Sequence, residues 1–167
     1  KYFSPRSLPY YASKACSFTD IYRIMREEGM GADLVSAGEI ATARRAGFDL
    51  GRACFHGNNK TDAEIRYAMD SRVGCFVVDC EEELLRIDET AAELGMRQRV
   101  LLRLTPGIDP HTYEAISTGK VDSKFGIAVE TGQAYEAVRH ALALANIDLR
   151  GFHCHVGSMV FGEDVYE

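Results

Sequence analysis

Basic residues are scarce in this chain: 19 Lys and Arg stand against 25 Asp and Glu, a formal net charge of -6 over 167 residues. That balance argues against nucleic acid as a partner, because phosphate binding needs a basic surface. Long apolar runs are missing too, and none approaches the length of a membrane span. The N-terminus, Lys1-Tyr2-Phe3-Ser4-Pro5, lacks the charged and apolar regions of a signal peptide. The five cysteines, Cys16, Cys54, Cys75, Cys80 and Cys154, are odd in number and form no C-x-x-C pair. Several lie in apolar, strand-like runs, so buried free thiols in a reducing, cytoplasmic compartment are the expectation. No low-complexity tract and no linker interrupts the chain. An initiating Met is absent and Asp164-Val165-Tyr166-Glu167 closes no element, so residues 1–167 are expected to be part of a longer protein.

What is present is a regular alternation of short apolar runs with longer amphipathic stretches. Strands are predicted at Tyr10–Ser13, Ala32–Val35, Arg52–Phe55, Cys75–Asp79, Arg99–Leu104 and Gly151–Val156. Helices are predicted between them. Phe18–Glu28 carries Ile21, Ile24 and Met25 on one face and stops at Gly29. Ser36-Ala37-Gly38-Glu39 and Thr61-Asp62-Ala63-Glu64 have capping-box spacing and open the second and third helices. Glu81–Leu94 and Glu130–Ala145 are the later helices, and a long polar loop crosses Pro106–Gly126.

Such β-α alternation implies parallel strands with helical crossovers, in an open doubly wound sheet or a barrel. No G-x-G-x-x-G follows the first strand, which weakens the dinucleotide-binding version. Lys14, Asp33, His56, Arg103, His155 and Ser158 cluster just after strand ends, where a (β/α)8 barrel places its active site. About six β-α units are present, fewer than a complete barrel of roughly 250 residues needs.

Each of these residues has a plain reading beside a chemical one. A lysine at a strand end is often simply solvated; pointed into a barrel mouth and partly buried, Lys14 would have the lowered pKa that carbonyl chemistry needs. Strand alternation puts His153 and His155 on one face and Cys154 on the other, so the three do not converge and no metal site is expected. His155 would lie flat on an aromatic cofactor or serve as a hydrogen-bonded core histidine. Gly157-Ser158 would hold a phosphate or form a turn. Arg103 needs an anion, supplied by a cofactor or by an acidic neighbour. Asp33 would orient Lys14 or act in a turn. Glu39 is explained by its capping box.

Taken in order, YASKA (Tyr11–Ala15), GADLVSAGE (Gly31–Glu39), FHGNNK (Phe55–Lys60), LLRLTPG (Leu101–Gly107), STGKVDSKFG (Ser117–Gly126) and GFHCHVGS (Gly151–Ser158) resemble the diaminopimelate decarboxylases. These belong to the alanine-racemase-like, fold type III group of pyridoxal 5'-phosphate (PLP) enzymes. The resemblance implies an incomplete (β/α)8 TIM barrel, with residues 1–167 as a partial PLP-binding domain and the C-terminal β-domain absent from this chain. It implies a carboxy-lyase that converts meso-2,6-diaminopimelate to L-lysine and carbon dioxide in lysine biosynthesis. The alternatives are an ornithine, arginine or carboxynorspermidine decarboxylase of the same group, or a non-catalytic PLP-binding barrel protein. Lys14 matches the PLP-binding lysine, His155 the histidine stacked on the cofactor ring and Ser158 the serine near its phosphate. Asp33 and Arg103 match polar residues close to the cofactor. Lys14 and His155 are therefore the expected catalytic pair. The group's glycine-rich phosphate loop, catalytic cysteine and substrate-gripping arginines come later in sequence, so the 167 residues alone are expected to be inactive. The implied partners are a small amino-acid substrate and, in the full-length enzyme, a second copy in a homodimer.

Overall fold

The computed structural model describes residues 4, 7–107 and 125–155. The chain divides into two compact units, Lys1–Phe76 and Val77–Glu167.

The first unit opens with β1 (Tyr10–Ala12), followed by α1 (Thr19–Glu27), β2 (Gly31–Leu34), α2 (Ala37–Arg45), β3 (Ala53–Phe55), α3 (Asp62–Asp70) and the start of β4 (Cys75–Val78). Its strands pair in parallel, β1 with β2, β2 with β3 and β3 with β4. Because side chains alternate across a strand, Ala32, Leu34, Ala53 and Phe55 share one face, and all four are buried. Phe55 meets Phe76 edge to face at 5.6 Å, and Tyr22 meets Phe48 at 6.0 Å. Full burial of such side chains contributes roughly 2–3 kcal/mol each, and Ile40, Ile65 and Met69 add to the same core.

Sequence periodicity misplaced one residue of α1. Tyr22 is fully buried, whereas Ile24 is 48% exposed. At about 100° per residue the two lie on opposite sides of the helix, and the larger aromatic ring takes the inward position beside Ile21 and Met25. The second capping box forms as predicted: Glu64 N–H donates to Thr61 Oγ1 (3.2 Å) and Thr61 N–H to the Glu64 carboxylate (3.1 Å). Gly74 permits a backbone contact, donating its N–H to the Leu50 carbonyl. A Cβ there would lie 2.0 Å from the Gly51 carbonyl oxygen.

The second unit contains the end of β4, then α4 (Glu81–Glu93), β5 (Gln98–Thr105), β6 (Ile127–Ala128), α5 (Gln133–Ala143) and β7 (Ile147–Cys154). Three acidic residues, Glu81, Glu82 and Glu83, fill the first turn of α4, where the helix dipole favours negative charge. β5 pairs in parallel with β7 along its length and with β6 at its C-terminal end. The sequence did not anticipate β6, and β7 begins at Ile147 rather than Gly151. A register shift between Val100 and Leu101 pairs Leu101 with Gly151, so one extra residue is taken up in β7. That irregularity and the charged Asp148 and Arg150 hid the first half of the strand. The predicted loop from Pro106 lies outside the described residues from 108 to 124 and ends in described structure at Phe125 and Gly126.

Two substitutions test this packing by denaturant unfolding. Gly74→Ala is expected to lower stability by about 1–3 kcal/mol, since backbone must move to admit the methyl group. Thr61→Ala is expected to cost about 1 kcal/mol through loss of the cap. A Gly74→Ala protein as stable as the parent would contradict the close approach of residues 51 and 74.

Candidate active site

Within the first unit the C-terminal ends of β1, β2 and β3 lie along one edge, as parallel pairing requires. Lys14 stands there, on a single 3-10 turn formed by Ser13–Ala15 rather than on the strand itself. Its side chain is exposed in this unit, so the partial burial expected from the sequence is not found. The turn is anchored by its neighbour. Ser13 is fully buried, and its hydroxyl donates toward the Asp33 carbonyl (3.0 Å) and the Glu39 carboxylate. Glu39 also accepts from Val35 N–H at 3.0 Å.

This corrects the reading of Glu39 as a capping-box residue. Half of the box forms, with Ser36 Oγ accepting from Glu39 N–H at 3.2 Å. The Glu39 carboxylate reaches instead to the lysine-bearing turn, because that turn lies against the N-terminal end of α2. Asp33 is half-buried, and in register it shares a row with Ala12, Cys54 and Cys75. Its backbone carbonyl, through Ser13, ties it to the Lys14 turn. After β3, residues Phe55–Lys60 line a cleft of about 260 Å³ together with Val35 and Glu64. Lys60 there donates to the Gly57 carbonyl at 2.8 Å.

In the second unit the polar residues gather around Arg103. The guanidinium is buried and donates from Nη1 to Asp79 Oδ1 at 2.8 Å. The acidic neighbour weighed as an alternative anion is therefore present, and it is Asp79. The Phe125 ring centre lies 4.9 Å from the guanidinium carbon, so this end of the polar loop packs against Arg103. His153 is the register partner of Arg103 on β7. Burial first, then the Arg103 and His155 charges, push His153 from 6.5 down to about 4, and Asp79 opposes them. It is thus a neutral imidazole near neutral pH. His155 follows directly after β7 and is exposed. Ser158 lies outside the described residues.

Comparison with known proteins settles the family. The model of the pyridoxal-dependent decarboxylase family, described as its pyridoxal binding domain, matches residues 1–167. The chain belongs to this family. Among its relatives, the diaminopimelate decarboxylase of Bacillus subtilis is 45% identical over 151 residues, which is 90% of this chain and 34% of that protein. The crystal structure of diaminopimelate decarboxylase from Helicobacter pylori complexed with L-lysine aligns with a TM-score of 0.88 at 34% identity, over 96% of this chain and 40% of that one. The corresponding enzyme from M. jannaschii, also with L-lysine, aligns with a TM-score of 0.81 at 39% identity, over 90% of this chain and 35% of that one. The chain spans about a third of the length of the curated relatives it matches. Its parallel strands and crossover helices are those of an incomplete fold type III barrel, and the cofactor of this pyridoxal-binding family is PLP.

The groups present fit such a cofactor. PLP offers an aldehyde, which calls for a primary amine, and an anionic ring oxygen and phosphate, which call for N–H and O–H donors. Lys14 is an exposed amine at a strand's C-terminal end. Arg103 carries five N–H donors, of which the Asp79 contact engages one.

The lowered His153 pKa fixes a pH dependence. In the unfolded chain this imidazole takes a proton near 6.5, and in the folded protein only near 4. Between those values the unfolded state binds more protons, so stability falls as pH drops from about 6.5 to 4 and His153 has no effect above that window. Unfolding midpoints measured across this range should fall less steeply for His153→Gln than for the parent. Parallel curves would contradict the half-buried, neutral imidazole.

Proposed function

We propose that the protein containing this chain decarboxylates meso-2,6-diaminopimelate to L-lysine and carbon dioxide, with PLP as cofactor. The observation that carries the chemistry is an exposed primary amine, Lys14, on a turn anchored at the C-terminal edge of a parallel sheet. That edge is where barrels of this architecture do their chemistry. The choice of substrate is supported by the names of the relatives, several of them diaminopimelate decarboxylases at 42–46% identity, and by lysine bound in two of the solved structures.

Bound PLP supplies the electron sink that receives the pair left by the departing carboxylate. The remaining work belongs to the chain. Lys14 would hold the cofactor through its Nζ, the primary amine at the end of β1. The Ser13 hydroxyl, held by Glu39, keeps the Lys14 turn on the sheet edge, so that amine is positioned before substrate arrives. His155, exposed directly after β7, would pack against the cofactor and help hold it in place. Arg103 would donate to a cofactor oxygen and Ser158 would serve its phosphate, while Asp33 lines the same edge as Lys14. Residues 1–167 form a partial PLP-binding barrel domain, and a C-terminal β-domain in the full-length protein completes the substrate site. The full-length enzyme is proposed to be a cytoplasmic homodimer.

A substrate panel on the full-length protein tests this reading. Carbon dioxide release from meso-diaminopimelate should exceed that from ornithine, arginine or lysine by at least about a hundredfold in kcat/KM, as expected where a site hydrogen-bonds a group the analogues lack. Lys14→Ala should abolish turnover. Preference for ornithine or arginine would reassign the substrate. Full activity in Lys14→Ala would overturn the mechanism.

A further inference from the structure

No motif in the sequence singles out Asp79, yet it sits at the centre of the second unit's polar network. It follows β4 directly. Its two carboxylate oxygens are shared between different partners: Oδ1 accepts from Arg103 Nη1 at 2.8 Å, and Oδ2 accepts from Gly126 N–H at 3.2 Å. Its own N–H donates to Glu83 Oε2 at 3.3 Å, which fixes it at the start of α4. The Asp79 and Arg103 side chains are only 6% and 8% exposed.

Stability alone is a weak reason for such a pair. Removing two charges from water costs about as much as, or more than, their attraction returns, and apolar residues of similar volume would often serve as well. What the pair provides is a fixed direction. Arg103 is held by Asp79 on one side and covered by the Phe125 ring on another. Gly126 allows this approach: a Cβ there would lie 2.8 Å from Thr105 Oγ1 and 3.1 Å from the Arg103 carbonyl, at a φ of +76° that side chains rarely adopt. Thr105 Oγ1 in turn donates to the Phe125 carbonyl at 2.6 Å. The clamp engages Nη1, so the fork retains further N–H donors in a fixed plane. The neutral His153 beside it adds no competing positive charge.

We infer that Asp79 is a positioning residue: by gripping the Arg103 guanidinium and the Gly126 amide together, it aims the remaining donors of Arg103 at an oxygen of bound PLP. This rests on the reading above, in which Arg103 touches the cofactor.

A double-mutant cycle on the full-length protein tests it, with the PLP dissociation constant read from the absorbance of the bound cofactor. Asp79→Asn and Asp79→Ala should weaken PLP binding by about tenfold to a hundredfold, the range for a lost charge-assisted hydrogen bond. Arg103→Gln should weaken it similarly. In the Arg103→Gln background, Asp79→Asn should change the constant by less than about twofold, since coupled residues are not additive. If Asp79→Ala fails to fold, the near-isosteric Asp79→Asn carries the test. Wild-type PLP affinity in Asp79→Asn, or penalties at 79 and 103 that simply multiply, would overturn the role of Asp79 while leaving PLP binding by the parent intact. A parent protein that takes up no PLP would overturn the cofactor reading itself and this inference with it.

Discussion

Parallel strand pairing is the constraint on which the rest depends. A parallel strand cannot be reached by a tight turn, so each pair needs a crossover, and from β1 to β4 the crossovers are the helices α1, α2 and α3. Every strand then ends on the same edge of its sheet, and the segments leaving those ends are brought together however far apart they lie in sequence. In the first unit this gathers the Lys14 turn, the start of α2 and the turn after β3. In the second it sets Arg103 beside His153, fifty positions on.

Two carboxylates convert that gathering into fixed geometry. Glu39 holds the lysine-bearing turn through the buried Ser13 hydroxyl and the Val35 amide. Asp79 holds the buried guanidinium and the Gly126 amide. In both cases an acid at or next to a helix N-terminus reaches a neighbouring segment of the same unit. Buried polar groups must be satisfied to be tolerated, and these contacts satisfy several at once. Each also leaves a reactive or donor group, the Lys14 amine or the remaining Arg103 N–H groups, with its support already in place before any ligand arrives.

The fold was largely legible because its signals are local. The Thr61-x-x-Glu64 cap, the apolar runs at β2 to β5 and the glycines after α1 and α2 each declare themselves within a few residues. The site was legible only as a set of residues following strand ends, and the family resemblance gave them roles. What escaped was non-local. Glu39 looks like a capping-box residue because its spacing from Ser36 is that of a box; its true partner, Ser13, lies 26 residues away. Asp79 looks like a strand end, because its partner lies 24 residues further on. The strand β6 is two residues long and is made only by pairing with β5, so no periodicity could announce it. The 3-10 turn at Lys14 is similarly set by where Ser13 is buried, not by local propensity.

The central claim is that the amine at the end of β1 is the group that holds the cofactor. Treating the PLP-loaded full-length protein with borohydride, digesting it and mapping the modified peptide by mass spectrometry addresses that claim without relying on turnover. The account predicts a single pyridoxyl adduct, located on Lys14. An adduct on Lys60 or on any other lysine, with Lys14 unmodified, would contradict it.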